Sequence, residues 1–295
     1  MNRLKFQPNE IARGLAKKRT RTIALIIPDI ANPFFPELVV AIEKVAKSKG
    51  YTIVLLNTYE DDLKDHYFWS QIQNRYIDGI IVASFNLDIR SLKRIEELGI
   101  PFVRIDRAAA YNTENSIGVD NYKGAKIAVE HLFEVGCKKV AHISGPKSLP
   151  LSLERKRGYI ETVAKMSKDN PPIVYEGDFT LTSGKQLTEK LLQEHPDVDG
   201  IFLANDLMAI GSLKALKSLN ISTPEDIAII GFDGIELTEM VEPEISTVEQ
   251  PIYKIGAVAT NRLIYNIEDA KTDFKEVDLE VKLIKRQSTL GYIPK

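Results

Sequence analysis

The segment TRTIALIIPDIANPFFPELVVAIEKVAKSKG, residues 20–50, carries a strand, a turn and a helix in that order. Ile23–Ile27 is an apolar run rich in β-branched residues, the right length for one buried parallel strand. Pro28 ends it. Asn32 suits a helix cap, and Pro33 suits the first helical turn. Leu38, Val39, Ile42, Val45 and Ala46 then recur at helical spacing, and Gly50 stops the helix. Phe34 and Phe35 fall where the strand hands over to the helix. In open α/β sheets, ligands bind along that edge, outside the carboxyl ends of the strands. Two adjacent aromatics there either face a ligand or staple the helix to the sheet.

Outward from this unit the alternation continues. Strands are predicted at 51–56, 77–83, 101–105 and 116–119, with helices at 61–75 and 88–98. The pattern then starts again. Helices are predicted at 122–135, 151–166, 180–194 and 207–219, and strands at 139–143, 173–176, 200–204 and 227–231. Such alternation predicts an α/β chain of two doubly wound parallel sheets. The halves echo each other in sequence: Asp78-Gly-Ile-Ile-Val-Ala matches Asp199-Gly-Ile-Phe-Leu-Ala. Ile105-Asp106 and Phe232-Asp233 both place an acid just past a strand, which makes Asp106 and Asp233 candidate ligand contacts. The tail reads as a short strand at 246–248, a helix at 251–267 and one alternating strand at 277–285. If the halves face a common cleft, this tail crosses between them and forms part of a hinge that closes on a ligand.

Composition narrows the class. The 295 residues suffice for two ordinary domains, and 44% hydrophobic with 27% charged residues is normal for a globular protein. A net charge of −2 gives no overall attraction to nucleic acid. The first 21 residues nevertheless carry Arg3, Lys5, Arg13, Lys17, Lys18, Arg19 and Arg21 against Glu10 alone, a pattern of an arm that touches a polyanion or of a solvated tail. Cys137 is the single cysteine, which excludes an internal disulfide. The sequence shows neither a signal peptide nor a membrane-length apolar run, so a cytoplasmic location is expected.

Catalytic motifs are missing. No GxGxxG or GxSxG occurs, and Thr182-Ser183-Gly184-Lys185 fails as a phosphate loop because Gln186 stands where a magnesium-binding hydroxyl is needed. His66, His131, His142 and His195 are scattered without metal spacing. No cofactor is implied. The polar groups at strand ends are more informative. Asn205, Asp206, Asp233 and Arg155 offer carboxylate, carboxamide and guanidinium groups that bind neighbouring hydroxyls in pairs. With an aromatic face from Phe34, Phe35 or Phe179, that is equipment for holding a sugar. Helix capping is the preferred reading for Asp206, and a structural ion pair is the alternative for Arg155 and Asp233.

Taken together, these motifs resemble the lactose-repressor (LacI/GalR) family of bacterial transcription regulators. From Phe6 to Tyr292 the order is P8-N9-x-x-A12-R13-x-L15, P28-D29-I30-x-N32-P33-F34-F35, D78-G79-I80-I81, G118-V119-D120-N121, A204-N205-D206-x-M208-A209-I210-G211, I230-G231-F232-D233 and R286-x-S288-T289. The resemblance implies a periplasmic-binding-protein-like core of type I, with three crossovers, that forms a homodimer. It divides the chain into a hinge or linker segment at 1–20, an N-terminal subdomain at 21–119 plus 249–271, and a C-terminal subdomain at 120–248 plus 272–295. It implies that an effector bound between the subdomains changes how the dimer holds operator DNA. Phe34 and Phe35 are then expected to stack on the effector. Arg155, Asn205 and Asp233 clamp it, and Phe179 supplies another aromatic. Leu149 and Leu151 stand where purine-binding members place polar contacts, which favours a sugar over a purine.

Asn9, Ala12, Arg13 and Leu15 resemble the family's hinge helix, whose leucine wedges into the minor groove. The family's helix-turn-helix head would precede this segment and is mostly absent from the sequence. Two other readings compete: a transport-linked sugar-binding protein of the same fold, and a doubly wound enzyme. The hinge motif argues against the first, and the lack of a catalytic constellation against the second.

Overall fold

The computed structural model describes residues 20–58, 63, 65–73, 77–84, 89–105, 115–167, 170–269 and 277–292. The chain divides into two compact units. One comprises the residues up to Gly118 together with Ile252–Val277, and the other comprises Val119–Pro251 with Asp278–Lys295. The backbone therefore passes from one unit to the other three times.

The first unit runs β1 (Thr22–Ile27), α1 (Phe34–Ser48), β2 (Thr52–Asn57), α2 (His66–Gln73), β3 (Gly79–Val82), α3 (Ile89–Glu97), β4 (Phe102–Ile105) and β5 (Ser116–Val119). The second runs α4 (Asn121–Glu134), β6 (Val140–Ser144), α5 (Pro150–Met166), β7 (Ile173–Glu176), α6 (Leu181–Glu194), β8 (Gly200–Leu203), α7 (Asp206–Ser218), β9 (Ala228–Asp233) and β10 (Ser246–Glu249). α8 (Ile252–Asp269) returns to the first unit, and β11 (Val277–Leu279) and β12 (Lys282–Ile284) follow.

Sheet one has the order β11-β5-β4-β3-β1-β2, and sheet two has β12-β10-β9-β8-β6-β7. In each sheet the first strand of its repeat lies between the second and the third. This is a doubly wound order whose switch point sits beside that first strand. β1 pairs in parallel with β2 and β3, and β6 in parallel with β7 and β8. β12 pairs antiparallel with β10.

The strands at the switch points are apolar on both faces because helices cover both. Ile23 to Ile27 are fully buried, as are Ile201, Phe202 and Leu203. α1 buries Phe34, Phe35, Leu38, Ala41, Ile42 and Ala46 along one stripe. α6 and α7 approach so closely that a Cβ on Gly211 would stand 2.0 Å from the Leu181 carbonyl oxygen, and one on Gly184 2.3 Å from that of Met208. The Ser-Gly-Lys triplet that looks like a phosphate loop is therefore the first turn of α6, and its glycine serves a helix crossing.

The internal sequence echo has a shared physical role. Asp78 accepts the Thr20 and Arg21 amides just before β1, at 3.1 and 2.6 Å. Asp199 accepts the Lys138 and Lys139 amides just before β6, both at 2.8 Å. Each aspartate ties the entry of its sheet's first strand.

Two expectations need correction. The alternating run 277–285 is not one strand. It splits into β11 in sheet one and β12 in sheet two, because the chain changes units within it. The helix expected at 61–75 spans His66–Gln73 among the described residues.

Candidate functional site

The carboxyl ends of sheet two gather most of the candidate residues of the second unit. Arg155 lies on α5, one turn and a half into the helix, and is 4% exposed. Its Nε donates to Asn121 Oδ1 at 2.8 Å, and its Nη1 donates to the Ala204 carbonyl at the end of β8. Nη2 stands 3.5 Å from Asp233 Oδ1. The guanidinium lies over the Phe232 ring, 3.6 Å from its centroid, a desolvated cation–π contact. The ion pair allowed for in the sequence is thus formed, within a larger network. A buried guanidinium and carboxylate are tolerable only with such partners.

Asp233 ends β9 with φ +118, a conformation that side-chain-bearing residues rarely adopt. Its carboxylate accepts from Gln250 Nε2 at 2.8 Å, and its carbonyl accepts the Gln250 amide at 2.9 Å. Asp206 anchors the turn that follows. Its Oδ2 accepts the Gly234 and Ile235 amides at 2.7 and 3.0 Å, and its Oδ1 accepts the Thr247 hydroxyl at 2.7 Å. Burial, with the nearby Asp233 charge second, pushes the Asp206 carboxyl well above its usual range, and those three donors oppose the rise.

Asp206 is therefore not the cap of α7, as the sequence suggested. Asn205 is the cap, with Oδ1 accepting the Met208 amide at 3.0 Å, and Asp206 is the first helical residue, turned inward to hold the strained turn. The other end of the Asn205 amide donates to the Phe179 carbonyl at 3.1 Å. Phe179 itself has φ +68, and its ring packs against Gly145 at the end of β6. Leu149 and Leu151, at the start of α5, are both buried.

The edge of sheet one holds Phe34 and Phe35. They are 8% and 2% exposed and pack edge to face with centroids 5.2 Å apart. The preceding turn is set by Asn57, whose Oδ1 accepts the Ile30 amide at 2.6 Å, and by Asp29, whose Oδ1 accepts the Ala31 amide at 2.8 Å. Asn32 Oδ1 accepts the Phe34 amide at 3.2 Å. Asp106, and Asn9, Ala12, Arg13 and Leu15 of the hinge motif, lie outside the described residues.

Sequence reasoning missed Asn121 and Gln250. Gln250 directly follows β10, so the strand-end rule that singled out Asp233 reaches it too. Asn121 follows the G118-V119-D120 stretch, and its spacing alone gives no sign of its partner Arg155. Among the described residues, no group of three or more His, Cys, Asp or Glu side chains is placed to hold a metal ion. No described helix is long and apolar enough to cross a membrane.

Comparison with known proteins agrees with this fold. Residues 20–287 match the family described as periplasmic binding proteins and sugar binding domain of LacI family. The ribose operon repressor of Halalkalibacterium halodurans is 41% identical over 290 residues, covering 98% of this chain and 85% of the repressor. A LacI family transcriptional regulator from Enterococcus faecium, solved with bound ribose, superposes with a TM-score of 0.82 at 27% identity, over 90% of this chain and 98% of that one. The complex of the transcriptional regulator CelR with cellobiose gives a TM-score of 0.83 at 27% identity, over 97% and 92%. The two doubly wound sheets, the polar network at the carboxyl ends of the second and this breadth of similarity place the chain in the LacI family, as a member built on its sugar-binding, periplasmic-binding-protein-like fold.

Proposed function

We propose that this protein is a sugar-responsive transcriptional repressor whose effector is a pentose, with ribose the first choice. In the second unit the effector meets Arg155, Phe179, Asn205 and Asp233. In the first unit the residues that touch a ligand are Phe34, Phe35 and Asp106. The observation that carries this reading is backbone strain at Phe179 and Asp233. Two side-chain-bearing residues with positive φ, a bulky aromatic and an aspartate, both lie on the carboxyl edge of one sheet. Such strain persists only where the surroundings over-determine it, and it concentrates at ligand sites. The relative named for the ribose operon and the neighbour solved with ribose supply the sugar class.

Binding, not catalysis, is the proposed activity. The effector changes the affinity of a homodimer for operator DNA by favouring one of two states. Asn9, Ala12, Arg13 and Leu15, in the segment 1–20, form the hinge that meets DNA, with Leu15 as the minor-groove wedge. No purine role is proposed, since the apolar Leu149 and Leu151 stand where the family resemblance places polar contacts in purine-binding members.

Titration calorimetry of the chain with D-ribose, D-xylose, D-glucose, cellobiose and hypoxanthine tests this. Saturable binding of a pentose, lost in Asp233→Ala with the fold intact by circular dichroism, is the expected result. Binding of hypoxanthine alone, or pentose affinity unchanged in Asp233→Ala, overturns it.

A further inference from the structure

Three buried threonines inside helices share one solution for their hydroxyls. Thr162, Thr188 and Thr260 each donate to the carbonyl four residues back in their own helix, that of Gly158, Gly184 or Gly256, at 2.7, 2.7 and 2.8 Å. Ser152, also in a helix, differs from them. It is 2% exposed, and its Oγ has no hydrogen-bond partner among the described residues. Ser152 is the third residue of α5, so the residue four back, Ser148, lies before the helix. A buried hydroxyl without a partner is costly, and alanine would serve the fold better at this position.

The position of that hydroxyl is specific. A Cβ placed on Gly145 would stand 2.6 Å from Ser152 Oγ and 2.2 Å from Phe179 Cζ. The hydroxyl and the edge of the strained Phe179 residue therefore converge on one point, the first residue beyond β6 at the switch point of sheet two. Arg155 follows Ser152 by three residues on the same face of α5.

We propose that Ser152 is a specificity-determining residue of the effector site. Its hydroxyl takes its hydrogen-bond partner from a hydroxyl of the sugar, after the Phe179 ring has moved off Gly145. The polar cost retained in the ligand-free protein becomes discrimination on binding: a sugar that lacks the matching hydroxyl leaves the serine unpaired. This rests on the reading of this edge as a sugar site.

The test compares the wild type with Ser152→Ala, titrated with D-ribose and each of its monodeoxy analogues, together with melting of both ligand-free proteins. Ser152→Ala is expected to bind D-ribose about tenfold more weakly, while its ligand-free form melts no lower than the wild type. One deoxy analogue should bind both proteins equally, the signature of a direct pair in a double-mutant cycle. A lower ligand-free melting temperature, with every analogue losing the same factor in both proteins, makes Ser152 structural and overturns the proposal. Unchanged ribose affinity in the variant also overturns it. Wild-type protein that binds neither ribose nor any other sugar overturns the sugar-site reading itself, and this inference with it.

Discussion

The two sheets share a strand order but finish their carboxyl edges differently. Among the described residues, sheet one's edge carries turn bonds at exposed positions, from the Ile30 amide to Asn57 and from the Ala31 amide to Asp29, above a buried edge-to-face aromatic pair. Sheet two closes its edge with buried charge. Arg155 bridges Asn121, Ala204 and Asp233, and Asp206 pins the turn that keeps Asp233 strained. One topology thus yields an edge held by exposed amide bonds and another held by buried polar partners. The second kind is expensive to build, and it carries Phe179 and Asp233, both with positive φ, and the Ser152 hydroxyl, which has no partner among the described residues.

The contrast predicts unequal responses to single changes. Arg155→Ala removes one half of a buried pair and strands Asp233, so it should lower unfolding free energy by about 3–5 kcal/mol. Chemical denaturation measures this, and a loss below about 1 kcal/mol would put Arg155 on the level of a surface residue.

His142 should make the second unit sensitive to acid, with the raised Asp206 carboxyl acting in the opposite direction. His142 of β6 is fully buried, stacked on Phe202 at 4.6 Å with Nδ1 2.9 Å from the Phe202 carbonyl oxygen. Burial lowers its pKa from 6.5 to about 3. Below pH 6.5 the unfolded chain binds a proton that the folded one refuses, so the stability this neutral histidine maintains at neutral pH falls as pH drops toward 3. The loss between pH 6.5 and pH 5 should be about 2 kcal/mol. Hydrogen exchange should show β6 and β8 losing protection before β1 and β3, and His142→Phe should remove the difference. Equal loss in both sheets would break the contrast.

The smallest effect is expected at sheet one's edge. Asn57→Ala removes the acceptor for an exposed amide that water can replace, and should cost about 1 kcal/mol or less. A loss as large as that of Arg155→Ala would mean that the first edge is as tightly built as the second.

Much of this was legible in the sequence because it depends on short-range periodicity. A strand of Ile23–Ile27 followed by a helix stripe from Leu38 to Ala46 is a local pattern, and Asp78 and Asp199 announce themselves as repeats of one device. Asn205 and Asp233 could be picked out because each follows a strand, Arg155 because it follows the loop after β6, and Phe179 as an aromatic face. Their relations could not. Whether Asn205 or Asp206 caps α7 depends on where the turn after β9 comes to rest, 28 residues from Asp206 in sequence.

The amino-acid sequence by itself determined the α/β alternation, the doubling of the chain and the chemical types at the strand ends, since each follows from neighbours within a few turns or strands. Tertiary structure alone decided that 277–285 splits between two sheets, that Asp206 faces inward to hold Asp233, and that Ser152 is buried without a partner. Those outcomes depend on which distant backbone groups arrive at the same point, and hydrophobic periodicity carries no information about that.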